Sequence, residues 1–289
     1  MATPAFCDVH PNCAWIIASR TCIVLAFVIA GVIGNGTVLY IYRDRGNKQQ
    51  QQASRIYFVA MAYLDLFALI VMLPQTALYE NYLIPDSLVV TQVGIITICY
   101  VFVQIAMVFD RIFAVFTPFQ YLRYRDNFNK ALAIFLAVYI PTMICIQVLL
   151  LLPTQNKSHI AKTVTDSSLG VIYITTFFVL FTAYPAIAFK LWRQKQKIHV
   201  SSIAHGKAIN QNVPTEAHIK ALRLYVGVLF LFVLAYVPSI IHIVTGIRGL
   251  SYFFYINCVG NPVVYYMFNE KFGNDVRELV TKLKEKMRL

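Results

Sequence analysis

The residues able to do chemistry are few and widely spaced. Asp65 sits in the middle of an apolar stretch, residues 56–79, where an ionisable group is costly and marks a functional candidate. A lone carboxyl there can take up a proton or a cation, or it can hold neighbouring segments together by hydrogen bonds with no moving part. Asp110 and Arg111 stand side by side near the end of another apolar stretch. They can pair and reach toward an interface, or serve as simple anchors. Pro238 and Pro262 each interrupt an apolar run, removing one backbone hydrogen bond and bending the helix into a lever or a static kink. Asn257 and Asn261 are one helical turn apart and so share a face. Catalysis is not indicated, because the sequence holds no HExxH, no second mid-segment Asp and no nucleophile–base pair. No metal site is assigned.

The elements that must carry these residues follow from composition. Of the 289 residues, 58% are hydrophobic and 13% charged, and the mean hydropathy is +0.62. Soluble domains carry roughly 45–50% apolar and about 25% charged residues. So large an apolar excess excludes an ordinary cytosolic enzyme, a disordered chain and a nucleic-acid-binding domain, despite the net charge of +12. Windows of about 20 apolar residues can cross a bilayer. Seven such spans are expected, at 16–42, 56–79, 88–116, 131–152, 169–189, 224–244 and 250–268. The fold class is therefore an all-α membrane protein, a seven-helix transmembrane bundle over 16–268. An N-terminal segment, 1–15, precedes it, and a cytoplasmic amphipathic helix, 269–289, follows.

Lys and Arg placement sets the orientation. Most of the 25 basic residues cluster at 43–55, 123–130, 190–223 and 271–288, whereas only Lys157, Lys162 and Arg248 fall in the alternate loops. The basic loops belong to the cytoplasm, so the N-terminus is expected outside and the C-terminus inside, as an odd number of crossings requires. The first 14 residues lack a basic start and an apolar run, so no cleavable signal peptide is expected. Cys7 and Cys13 fall on the outer side, either bridged as a disulfide or as two free thiols. Asn156, in an Asn-Lys-Ser sequon of an outer loop, is a glycosylation candidate. After Phe268, the spacing Phe272, Val276, Leu279, Val280, Leu283 and Met287 gives one apolar face among basic residues, the pattern of a helix lying on a membrane.

Taken together, these features resemble the rhodopsin-like (class A) G-protein-coupled receptors over nearly the whole chain. Gly34-Asn35-x-x-Val38 is similar to the first-helix motif, and Met61-Ala62-Tyr63-Leu64-Asp65 to the family's Leu-Ala-x-Ala-Asp. Asp110-Arg111-Ile112, with Ala114, Pro118 and Tyr121 after it, resembles Asp-Arg-Tyr and its loop. Tyr184, Ile187 and Leu191 resemble the inner end of the fifth helix. Phe232-x-x-x-Tyr236-x-Pro238 is similar to the Phe-x-x-Cys-Trp-x-Pro box, with Ala235 for Cys and Tyr for Trp, and Asn261-Pro262-x-x-Tyr265 to the seventh-helix signature. The chain departs from the pattern elsewhere too. Asp86 stands where the family's third-helix cysteine would be, the loop 153–168 has no cysteine, the fourth-helix Trp is missing, Thr176 holds the fifth-helix proline position, and Tyr100 replaces a small hydroxyl residue near the family's sodium ion.

The resemblance implies a plasma-membrane receptor in two conformational states, one of which an extracellular ligand binds better. Asp65, with Asn35, Asn257 and Asn261 as partners, would be its polar centre and a candidate sodium site. Tyr236 and Pro238 would swing the sixth helix outward. Arg111, released from Asp110, would then meet a heterotrimeric G protein, with Tyr184 and Tyr265 filling the gap. Val93 replaces the Asp of amine receptors and Tyr255 the Lys of visual pigments, so a peptide ligand is preferred on family frequency. Gln92, Val93, His242, Tyr252 and Tyr255 are the candidate pocket, although these aromatics also suit a belt at headgroup depth. Membrane lipids are expected partners, and nucleic acid is not. The rival readings are a receptor-like scaffold that does not signal and, with less support, a transporter.

Overall fold

The computed structural model describes residues 13–44, 52–80, 86–117, 177–193, 212–245 and 249–287, with scattered positions at 119–138, 174–175, 196 and 247. Helices make up the described residues, with no strand among them. They are α1 (Cys13–Asp44), α2 (Gln52–Phe67), α3 (Leu73–Glu80), α4 (Asp86–Phe116), α5 (177–193), α6 (Asn212–Thr245), α7 (Phe253–Phe268) and α8 (Glu270–Met287). Three helices are long and apolar enough to cross a membrane, at Ile17–Arg43, Arg55–Ala77 and Ile98–Phe116, and α6 holds a shorter apolar segment, Val226–Ile241. Large apolar side chains also point outward, among them Ile33, Phe178, Phe230 and Met267. A surface of that kind calls for an apolar surrounding rather than water. These features together point to a membrane protein. The expected fourth span, Asn156 and Cys7 lie outside the described residues, apart from isolated helical positions at 131, 134 and 138, and Cys13, expected in the N-terminal segment, is the first residue of α1.

The second span is one rod with a defect. A π-helical turn, Ala68–Met72, joins α2 to α3, and the Leu73 N–H bonds the Ala68 carbonyl five residues back. Pro74 explains it. Its ring has no N–H to give and would collide with the carbonyl four residues earlier. Widening the helix by one residue relieves the collision, and such bulges recur at functional positions. Here the bulge begins three residues after Asp65.

Packing is organised around α7. α6 runs along it most extensively, α1 packs on α2 and α7, α2 on α4, and α8 folds back against α7 and α1. The turn into α8 is made by Asn269, whose extended backbone (φ −107, ψ 95) ends α7. Its Oδ1 accepts the Phe272 N–H at 3.2 Å, the geometry of a helix N-cap. Its Nδ2 donates to the Tyr42 hydroxyl at 2.8 Å, tying the turn to α1. Around this joint Tyr42 stacks on Phe272 (5.7 Å between centroids) and tilts against Phe58 (5.2 Å). Phe58 in turn meets Tyr265 at 4.5 Å.

The α1–α7 contact is unusually dependent on one glycine. Pro262 has no N–H, so the carbonyl of Cys258 loses its partner within α7. The Asn35 Nδ2 supplies one at 2.9 Å and also donates to Gly31 at 3.1 Å. For Asn35 to reach, the neighbouring Gly34 must lie on the proline ring, and a Cβ added there would stand 3.0 Å from two of its carbons. Gly34→Val is expected to destabilise the protein by about 1–3 kcal/mol through overpacking against a ring that cannot rotate away. Gly36→Val, where nothing lies within 4 Å of an added Cβ, is expected to change stability little. Thermal unfolding of both variants in detergent checks the contrast.

Candidate functional site

Asp65 is fully buried on α2, and both carboxyl oxygens accept hydrogen bonds from other helices. The Tyr100 hydroxyl of α4 donates to Oδ1 at 2.5 Å, and the Asn261 amide of α7 donates to Oδ2 at 3.0 Å. The Tyr100 oxygen also lies 3.3 Å from the Cys258 sulfur. A phenol has one hydrogen, and Asp65 takes it, so here the thiol donates. The result is a directed chain from Cys258 through Tyr100 to Asp65, closed by Asn261, that clasps α2, α4 and α7 at one point. Burial sharpens each bond, because water cannot replace a lost partner.

Of the three partners expected for Asp65, the structure brings one to the carboxyl. Asn261 contacts Asp65. Asn35 does not, being engaged with the Cys258 and Gly31 carbonyls. Asn257 shares the buried face with Asn261, yet neither end of its amide has a hydrogen-bond partner among the described residues. Tyr100, read from the sequence only as an obstacle to sodium, is a direct hydrogen-bond donor to the carboxyl.

A sodium ion does not fit these residues. Hard cations are held by several oxygens turning lone pairs inward. Around Asp65 the groups nearest both carboxyl oxygens present hydrogens instead, and a tyrosine ring fills the α4 side. Among the described residues no group of three His, Cys, Asp or Glu could hold a metal ion.

A second cluster lies at the other end of α4. Asp110 is buried, and its Oδ2 pairs with the Arg111 Nη2 at 2.8 Å. The Tyr121 hydroxyl donates to its Oδ1 at 3.0 Å, so the residue following the α4 terminus keeps the pair closed. Tyr184 of α5 and Tyr265 of α7 are both buried. On α6, Tyr236 stacks on Phe232 at 4.1 Å and meets Phe254 of α7 edge-on at 5.5 Å, two residues before Pro238 inside the helix. Phe254 also meets Tyr100 edge-on at 5.8 Å, so aromatic contacts run continuously from the α6 kink to the Asp65 clasp.

Of the expected ligand-pocket residues, Tyr255 is turned inward. Thr76 gives its hydrogen to the Met72 carbonyl at 3.0 Å, so across their 2.6 Å separation the Tyr255 hydroxyl is the donor. Tyr252 is half-buried at the start of α7. The side chains of Gln92, Val93 and His242 lie outside the description.

Sequence reading missed Gln104. It is buried on α4, one turn beyond Tyr100, and neither end of its amide has a hydrogen-bond partner among the described residues. The signal was the one that singled out Asp65, a polar residue alone in an apolar run.

The chain matches no protein-family model and no curated protein.

Asp65→Leu leaves the Tyr100 and Asn261 donors unpaired and is expected to cost about 2–6 kcal/mol, at about 1–3 per orphaned group. Because Tyr100→Phe removes one of those orphans, a double-mutant cycle by thermal unfolding is expected to show coupling of about 1 kcal/mol or more. Gln104→Met is expected to hold stability or raise it by about 1–2 kcal/mol, since the substitution relieves burial of an unpaired amide without changing volume.

Proposed function

We propose that the chain is a seven-span plasma-membrane receptor of the rhodopsin-like class, N-terminus outside, that passes binding of an extracellular ligand to a cytoplasmic heterotrimeric G protein. The observation that carries the reading is the Asp65 clasp, with three helices meeting at one buried carboxyl. Aromatic contacts lead from it to the Pro238 kink of α6. A bundle built this way can repack at one end and change shape at the other, because packed cores have discrete arrangements rather than a continuum.

In this mechanism the Asp110–Arg111 pair, closed by Tyr121, belongs to the resting state. A ligand that binds the other state better shifts the population by that difference in affinity and by no more. Rotation about Pro238 opens the α6 end, and Arg111 exchanges Asp110 for the G protein, with Tyr184 and Tyr265 moving into the space left. The cytoplasmic surface is basic, which suits an acidic partner and anionic lipid. A peptide is the preferred ligand class on family frequency.

The test uses cell membranes containing the full chain and a panel of purified heterotrimeric G proteins, with nucleotide exchange measured before any ligand is known. Asp110→Asn removes the resting partner of Arg111 and is expected to raise exchange above the wild type. Arg111→Ala is expected to abolish the increase in the double variant. Exchange that is the same in all four proteins would leave a scaffold without signalling as the reading. Reporter-tag mapping of both termini to the same side of the membrane would overturn the receptor topology itself.

A further inference from the structure

The outer flank of α6 and α7 carries a groove of about 790 Å³ that the proposed mechanism does not use. Its walls are apolar, with Phe230, Val263 and Met267 exposed along it. Gly227 and Gly260 lie in its floor, where each lets the opposite helix approach closely. A Cβ on Gly227 would stand 2.9 Å from Val264, and one on Gly260 2.8 Å from Leu231. At one end of the groove is a single charge, Arg223. It is exposed, and it makes no ion pair with any described residue.

Dimensions and charge identify what suits this surface. From Arg223 to Leu231 the groove follows α6 for about 12 Å, and from Ile256 to Phe268 it follows α7 for about 18 Å, at 1.5 Å per residue. Half of a hydrocarbon core is about 15 Å. The groove thus has the depth of one leaflet. Its basic end lies level with Phe268, where α7 gives way to α8 and its run of lysines.

We propose that this groove is a binding site for an anionic phospholipid of the leaflet that carries α8, with an acyl chain along the glycine-floored trough and the phosphate on Arg223. The proposal rests on the membrane embedding of the chain and not on its signalling. The acyl chain covers apolar side chains that α1, α6 and α7 leave open, and the guanidinium gives the bidentate grip on phosphate oxygens that lysine lacks.

The full chain, purified in detergent, is titrated with palmitoyl-oleoyl phosphatidylserine or phosphatidylcholine, and bound lipid is read by native mass spectrometry. Phosphatidylserine is expected to be retained about fivefold better, the ratio expected from one basic side chain. Arg223→Gln is expected to abolish that preference while leaving the binding of both lipids. Val226→Trp, which fills the trough, is expected to remove both. Lys282→Gln, on the exposed face of α8, is expected to preserve the fivefold ratio. Preference surviving in Arg223→Gln, lipid surviving in Val226→Trp, or displacement by equimolar cholesterol or by a second copy of the chain overturns the site. A chain that stays soluble without detergent and takes up no lipid overturns the membrane embedding as well.

Discussion

A carboxyl group withdrawn from water must be given hydrogen bonds by the protein itself, and at Asp65 three helices supply that need together. Tyr100 comes from α4, Asn261 from α7 and the carboxyl from α2. The two bonds can be made together only when all three helices are in register, so the requirement acts on the bundle rather than on one residue. An apolar side chain at the same place would pack without selecting an arrangement. The polar group costs free energy and gives specificity in return, provided that its partners are satisfied. Its two donors meet that condition.

The prolines extend the same logic along the chain. Each one leaves a carbonyl without its helical partner, and the bundle responds differently each time. At Pro262 the freed carbonyl of Cys258 is taken by Asn35, which pins α1 to α7 through a side chain. At Pro74 the helix widens into a π turn. At Pro238 the freed carbonyl is that of Leu234, and beside it the Ser239 hydroxyl donates to the carbonyl of Ala235 at 2.9 Å, a bond within α6 itself. Pro262 is thus bound to α1 through a side chain, whereas the bond beside Pro238 is local to its own helix.

Much of this was legible in the sequence. Apolar run length gave the helices that the structure describes, and the positions of Asp65, Asn261 and the Asp110–Arg111 pair were marked by the cost of polarity in apolar stretches. Partner choice was not legible, because it depends on rotation and register between helices far apart in the chain. Asn35 and Asn257 have the residue type to reach Asp65, and one serves a carbonyl instead while the other serves no side chain or backbone group. Tyr100 was visible as bulk but not as a donor. Asn269 caps α8 in the structure, and its second bond to Tyr42, 227 residues away, has no local trace in the sequence. The π turn could have been found from Pro74, since a proline about six turns into an apolar helix must displace something.

The unpaired amides follow from the same constraint and sharpen it. Gln104 and Asn257 are buried like Asp65, yet their side-chain amides find no hydrogen-bond partner among the described residues. If polar residues stood in the bundle only to lock one arrangement, those with no partner would be pure loss, and apolar residues of equal size would serve better. A bundle with two arrangements changes the balance, because an amide unsatisfied in one can be satisfied in the other and so lower the difference between them. Gln104 stands between the Asp65 clasp and the Asp110–Arg111 pair on one face of α4, and Asn257 stands one turn from Asn261 on α7. Both lie on the line along which a change at one end would have to travel. In the receptor proposed above, the clasp would resist rearrangement and the two amides would lower its cost, a combination suited to a bundle that changes shape.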